Sequence, residues 1–275
     1  MKTEDIRKYV RDRYAGIAKG GGSCCGPSAC CGIADPAEEA SVRIGYSGEE
    51  MKSVPPGANL GLGCGNPTAL ASLRAGETVL DLGSGAGFDC FLAAREVGET
   101  GRVIGVDMTP EMIGKARENA ARGGYGNVEF RLGEIENLPV PDRAVDVILS
   151  NCVINLSTAK DRVFAEAYRV LKPGGRVMIS DIVLSGDLPE DVAASLAAYA
   201  GCIAGAIRKE DYLRLMEAAG FRDVRVVRET RFEIPENELD SYGKSIAGDF
   251  HVPMESVRKA AGSVTSVQVF GTKPA

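Results

Sequence analysis

Apolar residues fall in short runs along this chain, separated by stretches where they recur every three or four positions. The runs at 79–82, 103–107, 128–132, 145–150, 176–182, 224–228 and 267–271 read as strands. Between most of them the helical period takes over. Phe88, Phe91, Leu92, Ala93 and Ala94 suit a helix packed on a sheet, and Thr109-Pro110 opens another with Met112, Ile113 and Ala116 inward. A helix over 158–171 stops at Lys172-Pro173-Gly174-Gly175, and one over 209–219 stops at Gly220. This alternation predicts an α/β fold: a seven-stranded, mostly parallel sheet with helices on both faces.

Outside that core the pattern is looser. Residues 3–18 form a charged amphipathic helix with Ile6, Tyr9, Val10 and Tyr14 on one side, read as a solvated surface helix or a lid. A glycine run and a cysteine-rich segment, expected to be a mobile loop, lead to a short helix over 36–42. Residues 57–65 form an irregular glycine-rich loop, and Asn66-Pro67 caps a helix reaching Leu73. Cys202 is expected after a long helix, and the last strand after a long connection over 232–262. The expected organisation is an N-terminal extension (1–45), a ligand-binding core (46–182) and a C-terminal cap that completes the sheet (183–275).

Thr78–Cys90, T-V-L-D-L-G-S-G-A-G-F-D-C, is a strand, a glycine turn and a helix start. Glycines at 83, 85 and 87 let the backbone turn and approach a ligand closely. Open α/β sheets bind ligands beyond the carboxyl ends of their strands, where Asp81, Asp107, Glu134 and Ser150 converge. Asp107, twenty positions after Gly87, suits ribose hydroxyls, and Met108 a purine face. Glu134 and the amide of Ile135 suit an adenine edge, and Ser84 and Asn151 complete the candidate set. The spacing G-S-G-A-G differs from the G-x-G-x-x-G of dinucleotide folds, though NAD stays open at this point. With D-L-G-S-G-A-G, G-V-D-M and L-K-P-G-G, the chain resembles the S-adenosylmethionine-dependent methyltransferases with a Rossmann-like fold. That resemblance implies S-adenosylmethionine at Asp81, Gly83, Ser84, Gly85, Gly87, Asp107, Met108, Glu134, Ile135 and Asn151.

Composition narrows the partners. A net charge of −6 argues against nucleic acid or an anionic membrane, and no apolar run reaches spanning length. The charged N-terminus is no signal peptide, so the expected location is the cytoplasm. Eight cysteines with one histidine then mean reduced thiols, and any coordination here is by sulfur.

Cys152 follows the fourth strand, Cys64 lies between two glycines that make it a poor core residue, and Cys202 lies in A-G-C-I-A-G. Each taken alone could be a small buried hydrophobe. Few basic residues lie near them in sequence to lower their pKa values. Three thiolates could hold a soft trivalent centre such as As(III), whose lone pair would attack a methyl donor without a general base. The segments N-L-G-L-G-C-G-N-P, D-L-G-S-G-A-G-F-D-C, G-E-I-E-N-L-P and S-N-C-V-I-N-L resemble the arsenite methyltransferase family. The resemblance implies As(III) as substrate, Cys64, Cys152 and Cys202 as its ligands, methylated arsenicals as products, and a thiol reductant such as glutathione or thioredoxin. It also implies a further functional thiol near the N-terminus, with Cys24, Cys25, Cys30 and Cys31 as candidates. For those four, arsenic capture or redox relay, metal binding and no role all stay open. So do two rival activities: methylation of an organic small molecule, and metalloid binding or redox sensing without catalysis. Cys90 is expected in the core, Asp181 at the pocket or merely at a strand end, Tyr46 and Ser47 over the cofactor or in packing, and His251 in water.

Overall fold

The alternation becomes one seven-stranded sheet in a computed structural model, which describes residues 2–20, 36–231 and 247–275. Cys24, Cys25, Cys30 and Cys31 lie outside the described residues. The strands are β1 (Thr78–Leu82), β2 (Arg102–Asp107), β3 (Val128–Leu132), β4 (Val145–Asn151), β5 (Leu171–Leu184), β6 (Arg222–Arg231) and β7 (Val264–Thr272). Their order is β3-β2-β1-β4-β5-β7-β6. The pairs from β3 to β5 are parallel, and β7 runs antiparallel to both β5 and β6. The order reverses between β1 and β4, so the crevice for a ligand opens at the carboxyl ends of these two strands.

Among the described residues four helices precede the sheet: α1 (Thr3–Ala18), α2 (Pro36–Arg43), α3 (Gly48–Lys52) and α4 (Pro67–Leu70). Within the alternation follow α5 (Phe88–Val97), α6 (Pro110–Gly123) and α7 (Lys160–Val170). Then come α8 (Glu190–Ala193), α9 (Leu196–Ala200), α10 (Lys209–Ala218) and α11 (Met254–Ala261).

Several boundaries differ from expectation. The long helix before Cys202 is two short ones, because Ser195 turns out of helical geometry and its hydroxyl caps α9 at the Ala198 amide. The connection into β7 contains α11. The helix capped by Asn66 ends at Leu70, and Ser72 beyond it has a positive φ of 48°. The unforeseen α3 is held by a reciprocal capping box between Ser47 and Glu50. The Pro-Gly-Gly after α7 ends the helix as expected, but the chain enters β5 at once, with Leu171 paired to Val145 before a register shift.

Alternate residues of β1 feed two cores. Leu80 and Leu82 join Ile148, Phe164 and Tyr212 on one face; Val79 joins Phe91, Val103 and Leu149 on the other. Burying each such side chain contributes about 1.5–3 kcal/mol. A third cluster joins Ile6 and Val10 of α1 to Tyr199, Cys64, Cys152 and Cys202. The charged α1 is therefore amphipathic as read, and its apolar side is docked over the crevice rather than solvated. Among the described residues no helix is long and apolar enough to cross a membrane.

Candidate functional site

A cleft enclosing about 1130 Å3, with open solvent at its mouth included, runs along the carboxyl ends of β1, β2 and β4. The turn after β1 forms its floor. Gly87 begins α5 with a left-handed φ of 96°, and a Cβ there would come within 2.7 Å of both Phe91 and Phe130. Gly85 has open space above it and donates its amide to Asp107 Oδ2 at 3.0 Å, while Thr109 N donates to Oδ1 at 2.8 Å. These two amides oppose the burial that raises the Asp107 pKa. The carboxylate keeps lone pairs for further donors.

The residues expected around a nucleoside do line this cleft: Asp81, Gly83, Ser84, Gly85, Asp107, Met108, Glu134, Ile135 and Asn151. Gly87 shapes the turn from behind. Ser84 is buried, and its hydroxyl has no partner among the described residues. Glu134 is half-exposed and pairs with Arg7 of α1 at 3.6 Å; Arg7 also reaches Glu136 at 3.3 Å. With Val10 and Tyr14 also lining the cleft, α1 lies across its opening.

Two buried carboxyl groups deepen the cleft beside β1. Burial, then the charge of Asp89, pushes Asp81 well above the usual carboxylate range, and burial pushes Asp89 up in turn. Cys90, fully buried in α5 as expected, donates its thiol to Asp81 at 3.2 Å. Asp89 accepts from the Tyr46 hydroxyl at 2.6 Å and the Thr68 hydroxyl at 3.2 Å. Tyr46 is therefore packed into this network, and it also lines the cleft. No lysine or arginine is bonded to either carboxyl group in the described residues.

Asn151 ties this network to the thiols. Its Nδ2 lies 2.9 Å from the Tyr46 oxygen, 2.9 Å from the Gly65 carbonyl and 3.0 Å from Asp89 Oδ2. Its Oδ1 accepts from the Cys64 amide at 3.0 Å. The side-chain amide is thus committed to clamping the Cys64 loop, and it lines the cleft without a free donor. From the far side Ser266 donates to the Cys64 carbonyl at 2.8 Å, and Gln268 to the Asn66 carbonyl at 3.2 Å. Here the reading of Cys64 as a poor core residue fails. The thiol is 7% exposed, and its flanking glycines are there so the loop can seat closely. A Cβ on Gly63 would come within 2.7 Å of the Asn151 amide, and one on Gly65 within 1.9 Å of Ser180 Oγ.

Cys64, Cys152 and Cys202 come from three distant segments and share one buried cluster, but Cys202 Sγ does not lie within 4.8 Å of both other sulfurs. The sulfurs of Cys64 and Cys152 and a carboxylate oxygen of Asp181 all lie within 4.8 Å of one another. Cys202 Sγ donates to the Cys152 carbonyl at 2.8 Å. Cys152 and Cys202 hold left-handed φ angles of 59° and 63°, which residues with a Cβ rarely adopt. Such strain concentrates where function over-determines geometry.

The thiols keep their protons at neutral pH. Burial drives Cys64 up to about 11, with the hydrogen bond to Cys152 opposing. For Cys152 the bond with Cys202 works downward, and the bond with Cys64 and burial outweigh it. Cys202 is raised by its bond with Cys152 and by burial. Asp181, wholly buried, is pushed by burial up to about 6, against bonds from the Ile182 amide and the Tyr212 hydroxyl. Lys160 adds a cation that sequence spacing did not reveal. Burial lowers its pKa while Asp181, Cys202 and Glu136 hold it up, and its Nζ lies 2.9 Å from the Ser157 carbonyl. Asp181 was one of two open readings; Asp89, Asn155, Lys160 and Tyr212 were not foreseen. His251 is exposed, as expected.

A family model described as a methyltransferase domain matches residues 73–220. An arsenite methyltransferase from Halobacterium salinarum is 55% identical over 232 residues, 81% of this chain and 59% of that protein. One from Mus musculus is 31% identical over 249 residues, 86% of this chain and 63% of that protein. The chain thus spans 59% and 63% of the lengths of these curated relatives. The crystal structure of an arsenic(III) S-adenosylmethionine methyltransferase from Chlamydomonas reinhardtii superposes with a TM-score of 0.63 at 34% identity. That superposition covers 88% of this chain and 75% of that one.

Proposed function

Because the chain belongs to the arsenite methyltransferase family, we propose that it moves the methyl group of S-adenosylmethionine onto trivalent arsenic held by Cys64, Cys152 and Cys202. The observation that carries this reading is the meeting of three buried thiols, drawn from three distant segments, at the end of the cleft that Asn151 and Cys152 also line.

The cleft fits the donor. Asp107 keeps acceptor capacity for ribose hydroxyls, Gly85 leaves room for close approach, and Ser84 holds an unpartnered hydroxyl. Asp81 and Asp89 crowd two buried carboxyl groups together without a bonded cation, an arrangement that a positively charged ligand relieves. When bound, the donor supplies an electrophilic methyl on a sulfonium. Met108 and Ile135 offer apolar surface to the base, Glu134 an acceptor, and α1 covers the whole. Residues 46–182 form the donor-binding core in this reading, and the segment from 183 covers the thiols and completes the sheet.

On the substrate side each thiol exchanges with a hydroxyl of arsenous acid. The S–As bond forms, the As–O bond breaks, and the thiol proton leaves with the oxygen as water. Three exchanges leave a neutral arsenic with its lone pair. Protonated thiols suit this step, since no charge accumulates in the buried site. The chain's part is then positioning and exclusion of water. Methylation at the lone pair formally oxidises arsenic by two electrons. A thiol reductant such as glutathione or thioredoxin returns them, two thiols giving one disulfide.

The test is to incubate the full chain with As(III), glutathione and methyl-labelled donor and to look for methylated arsenic. Single Cys→Ser changes at 64, 152 and 202 should each lower turnover at least tenfold. Full activity in all three variants refutes the thiolate reading.

A further inference from the structure

Asp181 stands at the thiol cluster, and none of the steps above uses it. Its place is heavily braced. Oδ1 accepts from Asn155 Nδ2 and from the Ile182 amide, both at 2.9 Å, and Oδ2 accepts from the Tyr212 hydroxyl at 3.1 Å. Asn155 is itself anchored by a 2.6 Å bond to the Ile182 carbonyl. Tyr212 is fully buried against Phe164. A carboxylate has about four lone-pair sites; the Asn155 backbone amide also bonds to the group, and of the three bonds above Oδ2 takes only that from Tyr212. Asn155 Oδ1, also buried, has no partner among the described residues. Once the thiols give up their protons to exchange, the wall beside them keeps two buried acceptors, Asp181 and Asn155 Oδ1, with the Lys160 ammonium acting on the first, and burying such groups unpaired is costly.

A ligand that brings hydrogen-bond donors of its own satisfies these acceptors as the thiol protons leave. A bare soft divalent cation brings none, and with three thiolates and a carboxylate it would leave net negative charge in the buried site. A neutral trivalent acid carries hydroxyl groups on the very atom that the sulfurs seek. We propose that Asp181 is the hydroxyl-recognition group of this site, its Oδ2 accepting a hydrogen bond from an As–OH of the incoming acid while the thiols exchange onto the arsenic. The hydroxyl held by Asp181 is kept in place while the other As–O bonds are replaced, and it leaves last as water with the proton of the last thiol. No oxidant or reductant is consumed. The proposal rests on the arsenic reading above and adds the form of arsenic that the site selects.

The test compares two arsenic sources on the full chain, followed as chain-bound arsenic by rapid desalting at timed intervals. Arsenous acid carries hydroxyls; arsenic complexed by three glutathiones carries none. Asp181→Asn keeps the shape but replaces a charged acceptor by a neutral amide. The expected result is a fall of about ten- to a hundredfold in the rate with arsenous acid relative to the rate with the glutathione complex, the size of a lost hydrogen bond to a charged group. An unchanged ratio overturns the proposal, whether both rates fall together or neither does. Tyr212→Phe gives an independent arm, because it keeps the carboxylate and frees a lone pair on Oδ2. Its ratio should stay at or above that of the unsubstituted chain, and a tenfold fall there also overturns the proposal. If the unsubstituted chain captures no arsenic from either source, the arsenic reading itself fails, a result distinct from failure of Asp181 alone.

Discussion

Replacing Gly65 by alanine tests whether close seating of the Cys64 loop is what builds the thiol site. The new Cβ would meet Ser180 Oγ at 1.9 Å and Gln268 Nε2 at 3.0 Å, so the loop or β5 must give by about 1 Å to reach ordinary contact. Gly65 has no positive φ, so the effect is steric and carries no backbone strain. Overpacking of this kind costs about 1–3 kcal/mol. A displacement near 1 Å at a reacting group can cost on the order of a hundredfold in rate. Gly65→Ala should therefore lose far more methyl transfer than stability. Ser180 provides the control. Its hydroxyl is buried and has no partner among the described residues, so Ser180→Ala alone should be neutral or stabilising by up to about 1 kcal/mol. It also removes the 1.9 Å contact and leaves the milder ones, Gln268 Nε2 at 3.0 Å and the Ser180 Cβ at 3.1 Å. The double variant should recover most of the lost turnover. The assay is kcat/KM for methylated arsenic alongside urea unfolding of all four proteins. Full activity in Gly65→Ala, or no recovery in the double variant, refutes the reasoning.

Asn151→Ala strips the partners from the Cys64 amide, the Gly65 carbonyl and Asp89, and should cost about 2–4 kcal/mol in urea melts together with most methyl transfer. Cys90→Ala removes a donor from Asp81, so the KM for the methyl donor should rise a few-fold in initial-rate assays while As(III) affinity stays unchanged. The pH response of As(III) binding follows from the raised thiols. With Cys64 pushed up to about 11, the free site holds its protons, and exchange with neutral arsenous acid releases only water. Titration calorimetry should therefore give an affinity flat between about pH 7 and 8, above the titration of Asp181. Thiols ionised in the free site would instead take up protons on binding, and affinity would fall as pH rises. Asp181 gives a stability signature of the opposite kind to a paired carboxylate. Its folded pKa, pushed up to about 6, lies above the unfolded value. Its contribution is therefore full below about pH 4 and is lost as pH rises through 6. Asp181→Asn should flatten the urea-melt stability profile across that window.

The sheet and the donor cleft were legible because their signals are local. The run 79–82, the glycines at 83, 85 and 87, and Asp107 at the next strand end lie within thirty residues, and short-range spacing decides where they go. The seat of the thiols was legible only in part. The positions of Cys64, Cys152 and Cys202 pointed to the crevice, but their surroundings come from residues far away in sequence. Asp181 owes its place to Asn155 and Tyr212, 26 and 31 positions distant, and no periodicity announces that they share a wall. Lys160 reads locally as the start of a helix, and only the packing turns its ammonium toward the cluster. Gly63 and Gly65 carried a real signal that permits two meanings, an open loop or close contact, and the structure selects the second. The Ser47–Glu50 box was a local signal left unread.

The position of β7 has a consequence for the order in which the protein is made. This strand enters the sheet between β5 and β6 after every other strand has been synthesised. It also delivers Ser266 and Gln268, whose partners at Cys64 and Asn66 lie 202 residues earlier. A growing chain therefore carries all three cysteines well before it carries the strand that seats the first of them. On the arsenic reading proposed above, capture by the complete triad waits for synthesis through residue 268, and a chain paused ahead of residue 264 lacks the two bonds that seat the Cys64 loop from this side.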